Sequence, residues 1–303
     1  MIDRRKFLAL SAAGGGAVFL SGLVQQASAA RVGSEELRGA GAGDDFYFVQ
    51  MSDSHWGFSG APNPESATTL IKAVEAVNAL EIPPDFIVFT GDLTQTTDDP
   101  TLRRKRMAEF RDIVASLKVK KHYYMPGEHD AALDFGAAFK ENFGATHYSF
   151  NYKGVHFITL DNVSDPGAKI GDEQLAWLKS DLATQAQDAR IIVFTHRPLF
   201  NLAPQWDWAT RDGDNAIALL MPYSNVTVFY GHIHQEHHHQ TGHIAHHAAK
   251  SLIFPLPAPG SQETRAPLPW NPSVPFQGLG VREIEVGKQA AEFTLSEFPV
   301  VKA

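Results

Sequence analysis

The sequence predicts an α/β layered domain. Two observations carry that prediction: short, continuously apolar runs of strand length recur along the chain, and stretches with helical spacing of apolar residues separate them. Runs of this kind suit strands buried on both faces. The 303 residues, 44% hydrophobic and 20% charged, are ordinary for a globular protein with room for a sizeable core. A net charge of −8 argues against nucleic-acid binding, which would leave a basic footprint. The absence of cysteine removes disulfides, zinc ribbons and thiol catalysis together.

Taken in order, "FYFVQM" (46–51) is the first apolar run. Asn63-Pro64 then reads as an N-cap followed by proline at the first helical position, with Leu70, Ile71, Val74 and Val77 on one helical face. "FIVFT" (86–90) is a buried strand, and a second helix is expected after Asp99-Pro100. That helix carries Met107, Phe110, Ile113, Val114 and Leu117 at helical spacing, so its basic run Arg103-Arg104-Lys105-Arg106 reads as a solvated face. "HYYM" (122–125) follows, then a hairpin turning at Lys153-Gly154. "DEQLAWLKSDL" (172–182) is a helix with Leu175, Leu178 and Leu182 inward, and "IIVFT" (191–195) and "VTVFY" (226–230) are two more strands. The segment 254–275 is proline-rich and irregular, and the strand-like "GLGVREIEV" comes after it. Trp206 and Trp208 are expected in core or lid packing, and Asp161 is a candidate hydrogen-bond acceptor near a site.

Residues 1–30 read as an export address: basic residues, an apolar stretch broken by Gly14-Gly15-Gly16, and Ala27-Ser28-Ala29 as a cleavage pattern. Asp3-Arg4-Arg5-Lys6-Phe7-Leu8 resembles the twin-arginine signal, which implies the export machinery as a partner, a periplasmic or extracellular location, and no stable membrane insertion after cleavage; a single membrane anchor that stays attached is the alternative reading. Residues 31–44, by composition, read as a flexible lead-in, and 45–300 is expected to be a single catalytic domain.

Chemistry-bearing residues follow the apolar runs one after another: Asp53 and His55, Gly91-Asp92, Gly127-Glu128-His129-Asp130, His196, and Gly231-His232-Ile233-His234. Sites in open α/β sheets lie beyond the carboxyl ends of strands, so these endings should converge on one cleft. Any one of them is weak evidence: an Asp-X-His triplet is expected by chance in roughly a third of chains this long. Their order and placement together are what chance does not reproduce.

That ordered set resembles the signature of the calcineurin-like metallophosphoesterase superfamily, most of all its bacterial cyclic-nucleotide and glycerophosphodiester phosphodiesterase branch. The resemblance implies a four-layer α/β/β/α sandwich and a small phosphoester substrate, a diester slightly favoured over a monoester. It implies two divalent or trivalent transition-metal ions, among Fe, Mn, Zn and Co, because imidazole and carboxylate ligands without thiolate discriminate poorly among them. Asp53, His55, Asp92 and His234 would hold the first ion. Asp92 would bridge to a second ion held by Glu128, His196 and His232, with a bridging hydroxide as nucleophile. His129 would contact phosphate and help protonate the leaving oxygen. Asp130 would either orient His129 or cap the following helix.

One position departs from the pattern, which has asparagine where this chain has Glu128. Glutamate adds a negative charge and removes an N–H donor, so a metal-holding protein with little turnover is the competing reading. His237, His238 and His239 lie past the expected strand end and match no ligand position.

Overall fold

The computed structural model describes residues 17–20, 45–287 and 292–300. Most of the expected signal peptide and lead-in lies outside them; within that segment Ala17–Leu20 is a strand, β1, antiparallel to the last strand. The other strands are β2 Phe46–Met51, β3 Phe86–Thr90, β4 His122–Met125, β5 Tyr148–Tyr152, β6 Val155–Thr159, β7 Arg190–Phe194, β8 Asn225–Tyr230, β9 His237–Thr241, β10 Ile244–Ala248, β11 Gly280–Val286 and β12 Glu292–Pro299. The helices are α1 Ser66–Asn78, α2 Pro100–Val114, α3 Glu128–Ala131, α4 Ala137–Phe143, α5 Asp172–Leu182 and α6 Gly213–Leu220.

Two sheets result, ordered β1-β12-β11-β2-β3-β4 and β5-β6-β7-β8-β10-β9. Strand periodicity explains why they pack face to face. Phe46 and Phe48 of β2 point between the sheets, where they meet Phe86, Phe157, Phe194 and Phe229, with Phe48 stacked on Phe86 at 4.9 Å between centroids. Tyr47, Val49 and Met51 point the other way, onto Leu70, Val74, Met107 and Phe110 of α1 and α2. The far face of the second sheet is covered by Leu175, Leu178 and Leu182 of α5 and by Ile217 and Leu220 of α6. Helix, sheet, sheet, helix is the expected four-layer order. Each fully buried phenylalanine contributes about 1.5–3 kcal/mol, so the aromatic layer is a principal tie between the sheets.

β2, β3 and β4 run parallel, as do β6, β7 and β8. Their carboxyl ends therefore gather the loops carrying the candidate ligands. Asp99 caps α2 as expected, its Oδ1 accepting the N–H groups of Thr101 and Leu102 at 2.8 and 3.2 Å. Lys153 and Gly154 turn the β5–β6 hairpin with φ of 44° and 76°.

Four expectations change. Helix α1 starts at Ser66 rather than beside Asn63, because Asn63 Nδ2 is drawn to the Ile253 carbonyl at 2.6 Å while its Oδ1 accepts the Glu65 N–H. The basic run on α2 is not simply solvated. Arg103 is buried against Asp134 and the Thr97 carbonyl, and Arg106 donates to the carbonyls of Gln95 and Thr96, so both brace the loop after β3. His237, His238 and His239 belong to their own strand, β9, hairpinned to β10 at the edge of the second sheet. Trp206 and Trp208 are buried in the core under α5 and α6, as expected. Asp161 instead accepts the N–H groups of Val163 and Ser164, turning its own loop. Among the described residues no helix is long and apolar enough to cross a membrane.

Candidate metal centre

The candidate-ligand loops after β2, β3 and β8 leave their strands through an unusual backbone. Asp53, His55, Asp92, His232 and His234 all have positive φ, between 44° and 68°. Such conformations cost free energy and persist where surroundings over-determine them. Close approach demands the neighbouring glycines. A Cβ on Gly127 would fall on Asp92, and a Cβ on Gly231 would fall on Ser52 Oγ and crowd Asp53. The loops after β2, β3, β4 and β8 are thus packed backbone against side chain.

The carboxylates and imidazoles converge. Asp53, His55 and His234 present ligand atoms within 4.8 Å of one another, and so do Asp92, Glu128, His196 and His232. Asp92 stands between the sets, its Oδ2 3.5 Å from His55 Nε2 and 3.3 Å from His196 Nε2. Its Oδ1 accepts the backbone N–H of His129 at 2.9 Å. Asp53 Oδ1 lies 3.4 Å from His234 Nε2, and both of its oxygens are 3.1 Å from the His232 N–H. Glu128 spans two histidines: Oε2 is 2.9 Å from His196 Nε2, and Oε1 is 2.9 Å from His232 Nδ1.

Outer partners set which nitrogen faces inward. Nδ1–H donates to the Thr90 carbonyl from His196 at 2.7 Å and to the Phe254 carbonyl from His234 at 2.9 Å, and His55 Nδ1–H donates to Gln95 Oε1 at 3.1 Å. In each case Nε2 is left to face the carboxylates. His196 Nε2 and Glu128 Oε2 are buried, close together, and without a hydrogen bond of proper geometry. Donor atoms aimed at one ion rather than at each other leave that pattern, so the residues fit a metal pair.

The electrostatics are coherent with this. Burial pushes Glu128 up, but His232 and His196 outweigh it and hold the carboxyl well below its ordinary range. Burial and Glu128 push Asp92 up, and His196, His129 and His55 leave it lowered. Burial holds His55 down, to about 3. His196 goes the other way: burial would lower it, yet Asp92 and Glu128 raise it well above the usual imidazole value.

His129 is half-buried at the rim, its ring 4.5 Å from that of His55 and its Nδ1 3.4 Å from the Thr96 N–H. Asp130 is buried and caps the turn of α3, accepting the Gly127 N–H at 3.0 Å. It also accepts from Leu93 N–H, Thr94 N–H and Thr94 Oγ1, each at 2.9 Å, which pins the loop carrying Asp92. Of its two expected roles, the bonds are those of a cap. Burial and the nearby Asp92 charge push its carboxyl up to about 6.

Sequence reasoning missed the supporting residues Gln95, Asn162 and Arg197. Asn162 Oδ1 accepts the N–H groups of His196 and Arg197, both at 3.3 Å. The signal available was the position of Arg197 directly after His196 at a strand end.

A family model described as calcineurin-like phosphoesterase matches residues 46–236. A relative named "Probable cyclic nucleotide phosphodiesterase" from Rhodococcus erythropolis is 30% identical over 161 residues, 50% of this chain and 52% of the relative. The 3',5'-cyclic adenosine monophosphate phosphodiesterase CpdA of Pseudomonas aeruginosa is 29% identical over 71% of this chain and 79% of its own length. Among solved structures, a dimetal phosphatase from Danio rerio superposes with a TM-score of 0.55 at 14% identity, over 84% of this chain and 99% of the other. The purple acid phosphatase of yellow lupin gives 0.61 at 13% identity, over 84% of this chain and 52% of the other. These two share the fold. With the family model covering most of the described domain, the chain belongs to the calcineurin-like phosphoesterase family.

Proposed function

We propose that this chain is an exported, dinuclear-metal phosphoesterase that hydrolyses a phosphodiester in preference to a phosphomonoester. One observation carries the reading: Asp92 Oδ2 lies between two separate ligand sets, 3.5 Å from His55 Nε2 and 3.3 Å from His196 Nε2. Asp53, His55, Asp92 and His234 would hold one ion, and Asp92, Glu128, His196 and His232 the other. When bound, such a pair supplies Lewis acidity and an activated water at neutral pH. The chain's own residues do the rest. Thr90, Phe254 and Gln95 orient the imidazoles, Asp130 fixes the Asp92 loop, and His129 sits at the rim to contact phosphate and pass a proton to the leaving oxygen. Diester preference is supported by the names of the two relatives given above, although other relatives are named protein phosphatases, and export to the periplasm or beyond by the twin-arginine-like Arg4-Arg5 segment.

Glu128 favours a second reading, a metal-holding protein with little turnover, because its added charge weakens Lewis acidity and repels anions. Metal analysis of the purified protein, followed by hydrolysis of bis(p-nitrophenyl) phosphate against p-nitrophenyl phosphate with Fe, Mn, Zn and Co, decides between them. The expected result is two tightly held ions and faster diester turnover. Faster monoester turnover overturns the substrate class, and two ions without turnover of either ester establishes the second reading.

A further inference from the structure

Arg197 directly follows His196 and is 7% exposed. Its backbone is held as tightly as the ligand's: beyond the shared Asn162 contact, Asn162 Nδ2 and Thr195 Oγ1 both donate to its carbonyl at 2.9 Å. Its Nη1 donates to Asp207 Oδ2 at 2.8 Å and to the Asp207 carbonyl at 3.0 Å. Its Nη2 reaches to 3.7 Å from Glu128 Oε1, the oxygen that also faces His232. Its Nε is buried without a hydrogen-bond partner.

A guanidinium this buried must be matched by negative charge, and it cannot neutralise itself by losing a proton. Asp207 supplies one partner from the solvent side, held at a positive φ of 60° in the turn between Trp206 and Trp208. Glu128, a member of the second set of candidate ligands, is the other. A carboxylate and a permanent cation therefore sit side by side at the second-ion site.

We propose that Arg197 is the counter-charge to Glu128, so that the centre takes a carboxylate as second-ion ligand yet keeps its attraction for a phosphoester anion. This rests on the two-ion reading above. It explains how a glutamate can stand in that position without repelling the substrate. It also accounts for the Trp206–Trp208 turn, from which Asp207 anchors the guanidinium on the outer side and sets its distance from Glu128.

The test uses Arg197→Met, Glu128→Gln and the double variant in the full chain. It reads the Mn2+ affinity of the weaker site by competition with a chelator, and the inhibition constant of inorganic phosphate. Removing the cation should weaken phosphate inhibition roughly tenfold while tightening the second ion. Glu128→Gln should move both in the opposite directions. The double variant should return phosphate inhibition to within about threefold of wild type. Arg197→Lys, which keeps the charge, should also stay within about threefold. Arg197→Gln carries the same expectations as the methionine variant and serves if that variant does not fold. A merely structural Arg197 would weaken both affinities and leave the double variant worse than either single, which overturns the proposal. So would an unchanged phosphate constant in Arg197→Met. Wild-type protein that binds no second ion overturns the two-ion reading together with this one.

Discussion

Two groups of histidines lie within one short stretch of chain and do different things. His232 and His234 leave β8 in a turn with φ of 68° and 55°, and their ring nitrogens face Glu128 and Asp53. The hairpin histidines spend their rings on neighbours of another kind. His237 Nδ1 is 2.9 Å from the Tyr230 hydroxyl, His238 Nδ1 is 2.7 Å from His247 Nδ1, and His239 stacks on Phe200 at 3.8 Å between centroids. Among the described residues the hairpin contributes to no cluster of three ligands, whereas the turn contributes to two. Histidine density is therefore a poor guide. Converging carboxylates and a strand-end turn that aims the rings are what separate a centre from a polar edge.

The sharpest test of that contrast removes one carboxylate. Asp92→Ala should lose both ions and reduce kcat/KM about a thousandfold or more, since several kcal/mol of charge stabilisation go with the metals. The paired change His238→Gln with His247→Gln should leave two ions bound after dialysis. If the hairpin variant loses metal in parallel with Asp92→Ala, the two groups act as one store and the contrast fails.

A smaller effect is expected one layer out. Asp130→Asn puts an amide where four donors converge on a carboxylate, so at least one buried donor loses its acceptor. The expected cost is about 1–3 kcal/mol in thermal unfolding. Activity should fall about 10–100-fold through misplacement of the Asp92 loop. Unchanged metal affinity and activity would show that the loop after β3 holds itself.

What could be read from the sequence follows from how each signal is encoded. Asp53, Asp92, His196 and His234 were legible because buried parallel strands read as apolar runs, and a carboxylate or imidazole at the end of such a run stands out. The four layers were legible for the same reason together with the helical spacing of Leu175, Leu178 and Leu182. Asn162 and Gln95 were not, because an amide that hydrogen-bonds a backbone carries no periodicity. Arg103 and Arg106 misled: a basic run on a helix looks solvated until the loop it braces is in place. The β9–β10 hairpin was hidden because a strand of His-His-His-Gln-Thr lacks the apolar alternation that marks strands.

The last contrast is one of proton affinity. His196 is raised well above the ordinary imidazole value because Asp92 and Glu128 overcome its burial. His246 on β10 is buried with neither ring nitrogen hydrogen-bonded, and burial together with the nearby His239 lowers it to about 3. The unfolded chain therefore takes up a proton at this position near pH 6.5, while the folded chain refuses it until about pH 3. The unfolded state binds more protons in that window, so stability rises with pH and is lost as pH falls below 6.5, by up to about 1.4 kcal/mol per pH unit from this group. His246→Leu should flatten the slope of unfolding free energy between pH 6.5 and about 4.5. At neutral pH it should also raise stability by about 1–3 kcal/mol, since two buried unpaired nitrogens give way to apolar atoms. Urea unfolding at several pH values measures both. A slope unchanged by His246→Leu would mean that the ring finds a partner in solution, and the hairpin would then resemble the turn at His232 more than the structure says.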